Sequence, residues 1–438
     1  MMSNLTVGIF NDSFPPTIDG VANTTVNYAK EIQKSHGNVI VATPWYPRVV
    51  DDYPFEVIRY PSVYVNRKLG YRAGNPLDPL VLNRLIKAEM DIIHTHSPFM
   101  STILARSVRF SSSAPVILTY HTKFDIEFRR VLPFNHFRSA SMRILVANIN
   151  TCDEVWVVSE GAGENLRSLG YEGDYIVMDN GTDFPKGRSS QSEIDRLAKQ
   201  YDIEPGTPVF LFVGRMMWYK GTRLILDGLR IAKSKGYNFR MFFVGDGYDK
   251  PEIEAYMKEC GLEEECVFTG AIYDRELLRV YFCLADLFLF PSTFDTNGIA
   301  VTEAAACSCP SLLIQGSCAA ERAVHEQNAL LIREDAEDLA NTVMFACDNR
   351  MFIRKLGDAA GDSLYLSWAD AVAKAVERYR GILTAQIERK DPVSARLALL
   401  SEIQQLKEDL VQRKDIFVTR YREREIRIIK DMLDQLMK

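Results

Sequence analysis

Short apolar runs alternate with polar or amphipathic stretches along most of this chain, and no other feature constrains its fold as strongly. After a first run at Leu5–Phe10, the first half carries NVIVATP, FEVIRYP, DIIHTH, PVILTYHT, EVWVVS and YIVMDN. A second series consists of PVFLFVGR, FRMFFVGDG, CVFTGAI, ADLFLFP, PSLLIQ and ALLIR. Strands that alternate with helices form mostly parallel sheets covered on both faces. The sequence therefore predicts an α/β protein with two Rossmann-like, doubly wound domains whose strand ends face a common cleft.

A polar stretch rich in Gly and Ser, DNGTDFPKGRSSQSEIDRLAKQ, separates the two series and is typical of a linker. We therefore predict an N-terminal domain over residues 1–182, a second domain over 183–366 and a helix over 367–388. Residues 389–438 are strongly charged, with apolar residues every three to four positions, which predicts an amphipathic helical tail. Such a tail can pack on the protein itself, form a homodimer with a second copy or lie on a membrane.

The composition describes a globular protein of enzyme size. With 438 residues, 47% of them hydrophobic and 25% charged, the chain can build two or three domains. A net charge of −6 disfavours a nucleic-acid binder, which needs a positive field. We see no signal peptide at the start and no apolar run of the roughly 18 residues that span a bilayer. The eight cysteines lack metal-ligand spacing, so we expect reduced thiols and a cytoplasmic protein.

Residues 290–310, FPSTFDTNGIAVTEAAACSCP, combine a strand end, a polar turn and a helix start. Asp295 lies on the turn, and Glu303 lies in a helix that we expect to begin at about Ile299. The two carboxylates can reach different ends of one extended ligand. The free N–H groups at the helix start can bind the anionic part of that ligand.

Basic and glycine residues follow two other strands of the second domain. Arg215 and Lys220, in VGRMMWYKG, are suited to a diphosphate, because an arginine fork binds two oxygens and a lysine adds a point charge. They can equally be two solvated cations at a helix start. Gly245, in FFVGDG, can let a nucleotide approach the backbone closely, although such a glycine often marks only a tight turn.

Glycine and histidine residues stand at element ends in the first domain. Gly20 stands where a loop becomes a helix, so its N–H can face a phosphate. His121, in LTYHTKF, ends a strand, and we expect it to contact substrate. His94 and His96, in IIHTHSP, are expected to project to opposite faces and to divide between core packing and the cleft wall. Because no acidic partner lies at ligand spacing either, we predict no metal site.

Residues 123–143 mix aromatic and basic side chains and contain only two acidic ones. Aromatic and basic residues on a short helix can lie at an anionic membrane surface. A core-facing aromatic stripe with a solvated basic back fits the pattern as well. The candidate membrane or acceptor contacts are Phe124, Phe128, Arg129, Arg130 and Arg138.

Eight ordered motifs between residues 5 and 368 together resemble one known family. They are DSFPPTIDGVANTTVNYAKEI, DIIHTHSPF, LTYHTKF, VSEGAGENLRSLGY, DNGTDF, VGRMMWYKG, VGDG and FDTNGIAVTEAAACSCPS. The chain resembles the retaining, nucleotide-sugar-dependent glycosyltransferases of the GT-B fold, and its opening looks most like the bacterial branch that glucosylates diacylglycerol. The resemblance implies two Rossmann-like domains facing a cleft, with the helix over 367–388 crossing back to the first.

The resemblance also implies roles for the predicted site residues. Asp295 and Glu303 match the two acids of the family's E-x7-E motif, expected at the donor sugar and the ribose. Arg215 and Lys220 match the diphosphate clamp, and His121 matches the residue beside the transferred sugar. The other implied donor contacts are Gly20, Gly245, Tyr273, Asn297, Gly298 and Ile299.

The implied reaction moves a hexose such as glucose from a UDP-sugar with retention of configuration. No second carboxylate suited to a covalent intermediate stands out, which fits the front-face mechanism proposed for the family. The sequence contains no D-x-D motif that would predict a bound metal ion. We expect no cofactor beyond the donor. For the acceptor, the resemblance favours a membrane lipid such as diacylglycerol, reached by a protein peripheral to the inner face of the cell membrane.

Two positions depart from the family pattern. Asp295 replaces the usual Glu, which shortens its reach by one methylene group and leaves the donor sugar open. Ser308 stands where Gly is common, a change that we expect to affect packing more than chemistry. Three other functions stay open: transfer to a soluble sugar, small molecule or protein, a sugar-nucleotide isomerase, and a non-catalytic binder.

Overall fold

The computed structural model describes residues 5–17, 19–66, 71–124 and 135–388. Residues 1–381 form one compact unit, and 382–438 form a second, of which only the helical residues 382–388 are described. The predicted tail over 389–438, with its possible homodimer contact, lies outside the described residues and stays a prediction. No helix within the described ranges is long and apolar enough to span a bilayer.

The first half of the chain builds a seven-stranded parallel sheet. Its strands have the order β3-β2-β1-β6-β7-β8-β9. The elements in chain order are β1 (Leu5–Phe10), α1 (Gly20–Ser35), β2 (Gly37–Pro44), β3 (Glu56–Tyr60), β4 (Ser62–Asn66), β5 (Tyr71–Gly74), α2 (Pro79–Lys87), β6 (Ile92–Thr95), α3 (Met100–Ser112), β7 (Val116–Tyr120), α4 (Asn135–Asn150), β8 (Glu154–Val157), α5 (Glu160–Ser168) and β9 (Ile176–Val177).

The second half builds a six-stranded parallel sheet with the order β12-β11-β10-β13-β14-β15. Its elements are α6 (Gln191–Gln200), β10 (Val209–Val213), a short 3-10 turn (Trp218–Lys220), α7 (Thr222–Ser234), β11 (Arg240–Val244), α8 (Lys250–Glu259), β12 (Cys266–Gly270), α9 (Arg275–Leu284), β13 (Leu287–Phe290), α10 (Ile299–Ala306), β14 (Ser311–Ile314), a second 3-10 turn (Cys318–Ala320), β15 (Ala329–Ile332), α11 (Ala336–Asp348), α12 (Arg350–Ser363) and α13 (Trp368–Glu388).

The predicted α/β fold with two doubly wound sheets is confirmed. Central strands such as β7 and β13 are buried along their whole length, because parallel strands with helices on both faces have no solvated side. Each apolar run named from the sequence contains one of the parallel strands. The antiparallel hairpin of β4 and β5, in which Ser62 pairs with Gly74, was not predicted, and neither was α6, which lies within the stretch predicted to be a linker.

The first part of α13 packs on the first sheet. The ring of Tyr379 stacks on Trp156 of β8, with ring centroids 5.4 Å apart. The Nε–H group of Arg378 is shared between the two carboxylate oxygens of Glu154, at 2.9 and 3.0 Å. Residues at the beginning of α13 therefore belong to the surroundings of the first sheet, although they follow the second domain in the sequence.

Candidate active site

The strand order of each sheet reverses at one point, and the predicted site residues gather at these two points. The reversal lies between β1 and β6 in the first sheet and between β10 and β13 in the second. Neighbouring loops diverge at such a switch point and leave a crevice outside the carboxyl ends of the strands. In the second sheet the two loops carry Arg215 and Lys220 on one side and Asp295 on the other.

Lys220 and Asp295 form a buried ion pair at the switch point of the second sheet. The Nζ atom of Lys220 lies 2.5 Å from Oδ1 of Asp295, and the side chains are only 9% and 20% exposed. Gly221, at φ 80°, ends the turn that carries Lys220, and a side chain there would collide with the carbonyl of Pro291. Burial opposes ionisation of Asp295, but Lys220 and Arg215 outweigh it and lower the pKa of this carboxyl.

Arg215 adds a second positive charge at the rim of the same crevice. Its guanidinium lies over the ring of Tyr219, with Cζ 5.9 Å from the ring centroid, and the residue is exposed. An exposed arginine beside a buried lysine can bind one end of an anionic group that the lysine holds at the other. The pair predicted as a diphosphate clamp is thus brought together at one place.

The start of α10 supplies backbone donors to this place. Gly298 has φ 69°, a left-handed conformation, and an added Cβ would lie 2.9 Å from the Cβ of Ala319. Within the described part of the chain, no group accepts a hydrogen bond from the N–H groups of Gly298 and Ile299. Free N–H groups and the helix dipole favour an anion at this end of α10.

Glu303 is buried on α10 and held by an arginine that the sequence had not marked. Arg275 donates a hydrogen bond from Nη2 to Glu303 at 2.6 Å and two hydrogen bonds to the carboxylate of Asp183. Burial opposes the charge of Arg275, but these two carboxylates raise its pKa. The ribose role of Glu303 stays a prediction, and Arg275 fixes the orientation that such a role would use.

The two remaining donor-site predictions in the second domain lie at strand ends. Tyr273 is 72% exposed in the loop after β12, where its ring is open to a ligand. Gly245 has φ 140°, and an added Cβ would lie 1.9 Å from the carbonyl oxygen of Gly214. The protein therefore needs glycine at position 245 for its own packing, whatever the nucleotide does there.

The three histidines of the first domain form one buried cluster. His94, His96 and His121 are 0%, 2% and 9% exposed. Nδ1 of His94 lies 2.6 Å from the hydroxyl of Tyr379, and Nδ1 of His96 lies 2.9 Å from Nε2 of His121. Burial lowers the pKa of His94 and of His96 well below the ordinary value and lowers that of His121 to about 3. All three imidazoles are therefore neutral at physiological pH.

The expectation that His94 and His96 project to opposite faces is wrong. Alternate residues of a strand share a face, and the centroids of the two rings lie 4.2 Å apart. Both side chains are covered by protein, so neither forms part of a cleft wall. Among the described residues, no group of three or more His, Cys, Asp or Glu side chains is arranged to hold a metal ion.

The turn that carries Asp295 also touches the first domain. Thr296 donates a hydrogen bond from Oγ1 to the backbone carbonyl of His121 at 2.5 Å and accepts one from the hydroxyl of Ser159. The amide of Asn297 donates to the carbonyl of Val158 at 2.7 Å. The turn after β13 therefore meets the ends of β7 and β8, and it links the acid to the histidine.

A carboxylate of the second domain caps a helix of the first. Glu321 accepts hydrogen bonds from the N–H groups of Glu160 and Gly161 at 2.8 and 2.7 Å. Lys123 donates from Nζ to the carbonyl of Thr293 at 3.3 Å. These contacts join residues far apart in sequence, and nothing in the sequence indicated them.

At the switch point of the first sheet, the loop between β1 and α1 leads to Gly20. Asp19 caps α1 by accepting a hydrogen bond from the N–H of Ala22 at 2.7 Å. A Cβ added to Gly20 would meet no atom within 4 Å. The structure itself therefore does not require glycine at this exposed helix start, which is consistent with the predicted approach of a phosphate.

The segment predicted to contact a membrane is only partly described. Phe124 packs edge-on against Phe99, with ring centroids 5.0 Å apart, and this contact favours the core-facing interpretation for its ring. Phe128, Arg129 and Arg130 lie outside the described residues. Arg138 lies within α4, and its contact with a membrane or acceptor stays a prediction.

Comparison with known proteins agrees with this geometry. The family described as "Glycosyl transferases group 1" matches residues 193–362, and "Glycosyltransferase Family 4" matches residues 18–184. The chain is 23% identical over 312 residues to the alpha-monoglucosyldiacylglycerol synthase of Streptococcus pneumoniae, covering 69% of this chain and 70% of that protein. It is 29% identical over 315 residues to the GDP-mannose-dependent alpha-mannosyltransferase of Corynebacterium glutamicum, covering 70% and 71%.

A solved structure matches nearly the whole described fold. Alr3699/HepE of Anabaena, in complex with UDP, superimposes with a TM-score of 0.71 at 18% identity, over 86% of this chain and all of that one. At this identity the match concerns the fold alone. The described fold is therefore that of a GT-B glycosyltransferase, and its second domain belongs to the group 1 family.

Proposed function

We propose that the protein is a retaining glycosyltransferase that moves a hexose from a UDP-sugar to a membrane lipid such as diacylglycerol. The proposed hexose is glucose. One observation carries the proposal. The turn after β13 presents Asp295 to Lys220 and, through Thr296, contacts the backbone of His121. One turn thus connects the acid proposed to hold the sugar with the lysine proposed to hold the diphosphate and with the backbone of the histidine proposed to stand beside the sugar.

The charges at this point suit the departure of a nucleoside diphosphate. As the bond between sugar and phosphate breaks, negative charge grows on the phosphate and positive charge on the sugar. Lys220, Arg215 and the free N–H groups at the start of α10 offer fixed positive potential for the phosphate. Asp295 offers an ionised carboxylate for sugar hydroxyl groups, because Lys220 and Arg215 keep its pKa low.

The proposed nucleotide and acceptor are inferred from similar proteins and from the composition of residues 123–143. UDP is the nucleotide in the Alr3699/HepE structure, and the Streptococcus pneumoniae relative is named for a glucosylated diacylglycerol. The Corynebacterium glutamicum relative is named for GDP-mannose instead. The basic and aromatic composition of residues 123–143 favours a lipid surface. We also propose that the enzyme requires no metal ion and no cofactor other than the donor.

The test is an assay of nucleoside diphosphate release with UDP-glucose, UDP-galactose, UDP-N-acetylglucosamine and GDP-mannose, each with and without diacylglycerol vesicles. We expect turnover with UDP-glucose that depends on vesicles and resists chelation by EDTA. Proton NMR of the product should show the anomeric configuration of the donor. Turnover that does not depend on vesicles would refute the lipid acceptor. A preference for GDP-mannose would refute UDP-glucose as the donor.

Two variants separate the site from the rest of the surface. Lys220→Ala should abolish release of the diphosphate, because it removes the buried cation. Lys258→Ala removes an exposed cation from α8 and should leave the rate unchanged. Equal rates in both variants would show that Lys220 does not act on the donor.

A further inference from the structure

His96 contacts the histidine of the proposed site, although His96 itself is sealed from the crevice. Its Nδ1 atom lies 2.9 Å from Nε2 of His121, and their rings are stacked at 25° with centroids 5.2 Å apart. The residue is 2% exposed. A short contact between two imidazole nitrogens is a hydrogen bond only if one nitrogen carries a proton and the other does not.

The second nitrogen of His96 decides which imidazole donates. Nε2 of His96 is covered by protein and has no hydrogen-bond partner among the described residues. A proton on Nε2 would leave an N–H group buried and unpaired, which native proteins tolerate less than an unpaired acceptor. The proton of His96 therefore belongs on Nδ1, where His121 accepts it.

This arrangement fixes the proton of His121. Its Nε2 atom must be an unprotonated acceptor, so the single proton of the neutral ring lies on Nδ1. The Nδ1 atom of His121 has no partner among the described residues, yet it is not one of the fully covered polar atoms. Thr296 holds the backbone of His121 from the second domain, and His96 holds its ring.

We propose that His96 is a positioning residue that holds His121 as the Nδ1–H tautomer, so that His121 offers a hydrogen-bond donor to the transferred sugar and cannot act as a general base. The identity of the ligand as a sugar rests on the proposed function. The tautomer of His121 does not depend on that function. The unprotonated nitrogens of His96 and His121 both face protein atoms. Neither imidazole therefore offers a proton acceptor to the sugar. Proton removal from the acceptor then falls to another group, such as the departing phosphate.

Nitrogen NMR reads the tautomer without any substrate. The chain has six histidines, so a sample labelled with 15N only at histidine gives few signals, and His121→Asn identifies those of His121. In the wild-type protein we expect a protonated Nδ1 and an unprotonated Nε2 for His121. The opposite pattern would overturn the proposal, whatever the enzyme does.

Substitutions at position 96 add a kinetic test. His96→Asn keeps an amide donor near the Nδ1 position and should preserve both the tautomer and turnover. His96→Leu removes the donor, frees the tautomer of His121 and should lower kcat about tenfold, the equivalent of one hydrogen bond, while KM for the donor changes little. His325→Gln changes a histidine outside the site and serves as the control.

The outcomes distinguish the two hypotheses. If no sugar nucleotide supports turnover, the proposed function fails, and the NMR pattern still decides the tautomer. If turnover occurs and His96→Leu shifts neither the NMR pattern nor kcat, the proposed function stands and His96 has no positioning role. Loss of kcat in both His96→Leu and His96→Asn, with native circular dichroism, would also contradict the donor role.

Discussion

Lowering the pH from 7 to 5 should destabilise the first domain through its buried histidines. Burial lowers the pKa of His94, His96 and His121 below the ordinary value of 6.5, to about 3 for His121. In the unfolded chain these imidazoles bind protons below pH 6.5, and in the folded chain they do not. The unfolded state therefore gains protons as the pH falls, so stability is complete above pH 6.5 and is lost progressively below it.

The size of the effect follows from the difference in bound protons. A histidine that titrates at 6.5 when unfolded and stays neutral when folded costs about 1.9 kcal/mol between pH 7 and pH 5. Three such residues cost ~6 kcal/mol, which is a large share of the 5–15 kcal/mol typical of whole proteins. Tyr28 and Tyr379, whose rings contact the cluster, stay neutral in this range because burial raises their pKa values.

Urea denaturation at pH 7, 6 and 5 measures this loss. Fluorescence and circular dichroism should give coincident transitions before a free energy is assigned. His96→Asn has one titrating imidazole fewer and should lose about 2 kcal/mol less than the wild-type protein between pH 7 and 5. Contributions of carboxylates are shared by both proteins and cancel in that comparison. Equal losses in the two proteins, or a wild-type free energy that is flat above pH 5, would refute the reasoning.

Three further predictions concern stability and binding. Lys220→Met leaves Asp295 without its ion-pair partner and should cost about 3 kcal/mol of unfolding free energy, part of which the double variant with Asp295→Asn should recover; an unaffected urea midpoint would contradict the ion pair. The Cβ of Gly20→Ala would lie in open space, so this variant should keep its stability and bind UDP more weakly in calorimetry. Gly245→Ala should destabilise the protein by at least ~1 kcal/mol because its Cβ would collide with the backbone. A larger loss of stability in Gly20→Ala than in Gly245→Ala would contradict both expectations. Ser308 has φ 53°, so Ser308→Gly should raise the thermal midpoint through a gain of about 1 kcal/mol; an unchanged or lower midpoint would show no strain there.

Local sequence patterns predicted most of the fold. Apolar runs of four to six residues bounded by Gly, Pro or polar residues became strands, because a parallel strand covered on both faces needs apolar residues at every position. Predicted helix starts agreed with the structure where a capping residue or glycine marked them, as at Asp19 and Gly298. The hairpin of β4 and β5 was not predicted, because short antiparallel strands alternate in burial and lack a continuous apolar run.

The candidate site was predictable as a set of residues and not as a set of contacts. Motifs placed Arg215, Lys220 and Asp295 at strand ends, and the switch-point rule then brings them to one crevice. The contacts of Arg275 with Glu303 and of Thr296 with His121 join positions 28 and 175 residues apart, and no periodicity encodes such pairings. Ser308 shows the converse: its departure from the family's glycine was visible in the sequence, and its left-handed backbone gives that departure a physical meaning.

The turn between β13 and α10 connects the ion pair of Lys220 and Asp295 to the first domain. Asp295 accepts from Lys220, and the next residue, Thr296, donates to the backbone of His121. If the proposed donor separated Lys220 from Asp295, it would strain or shift the turn that contacts the backbone of His121. Since the imidazole is fixed by His96 from the other side, the ring can adjust only by a small movement. Under the proposed function, donor binding and the placement of the histidine would then be one structural event.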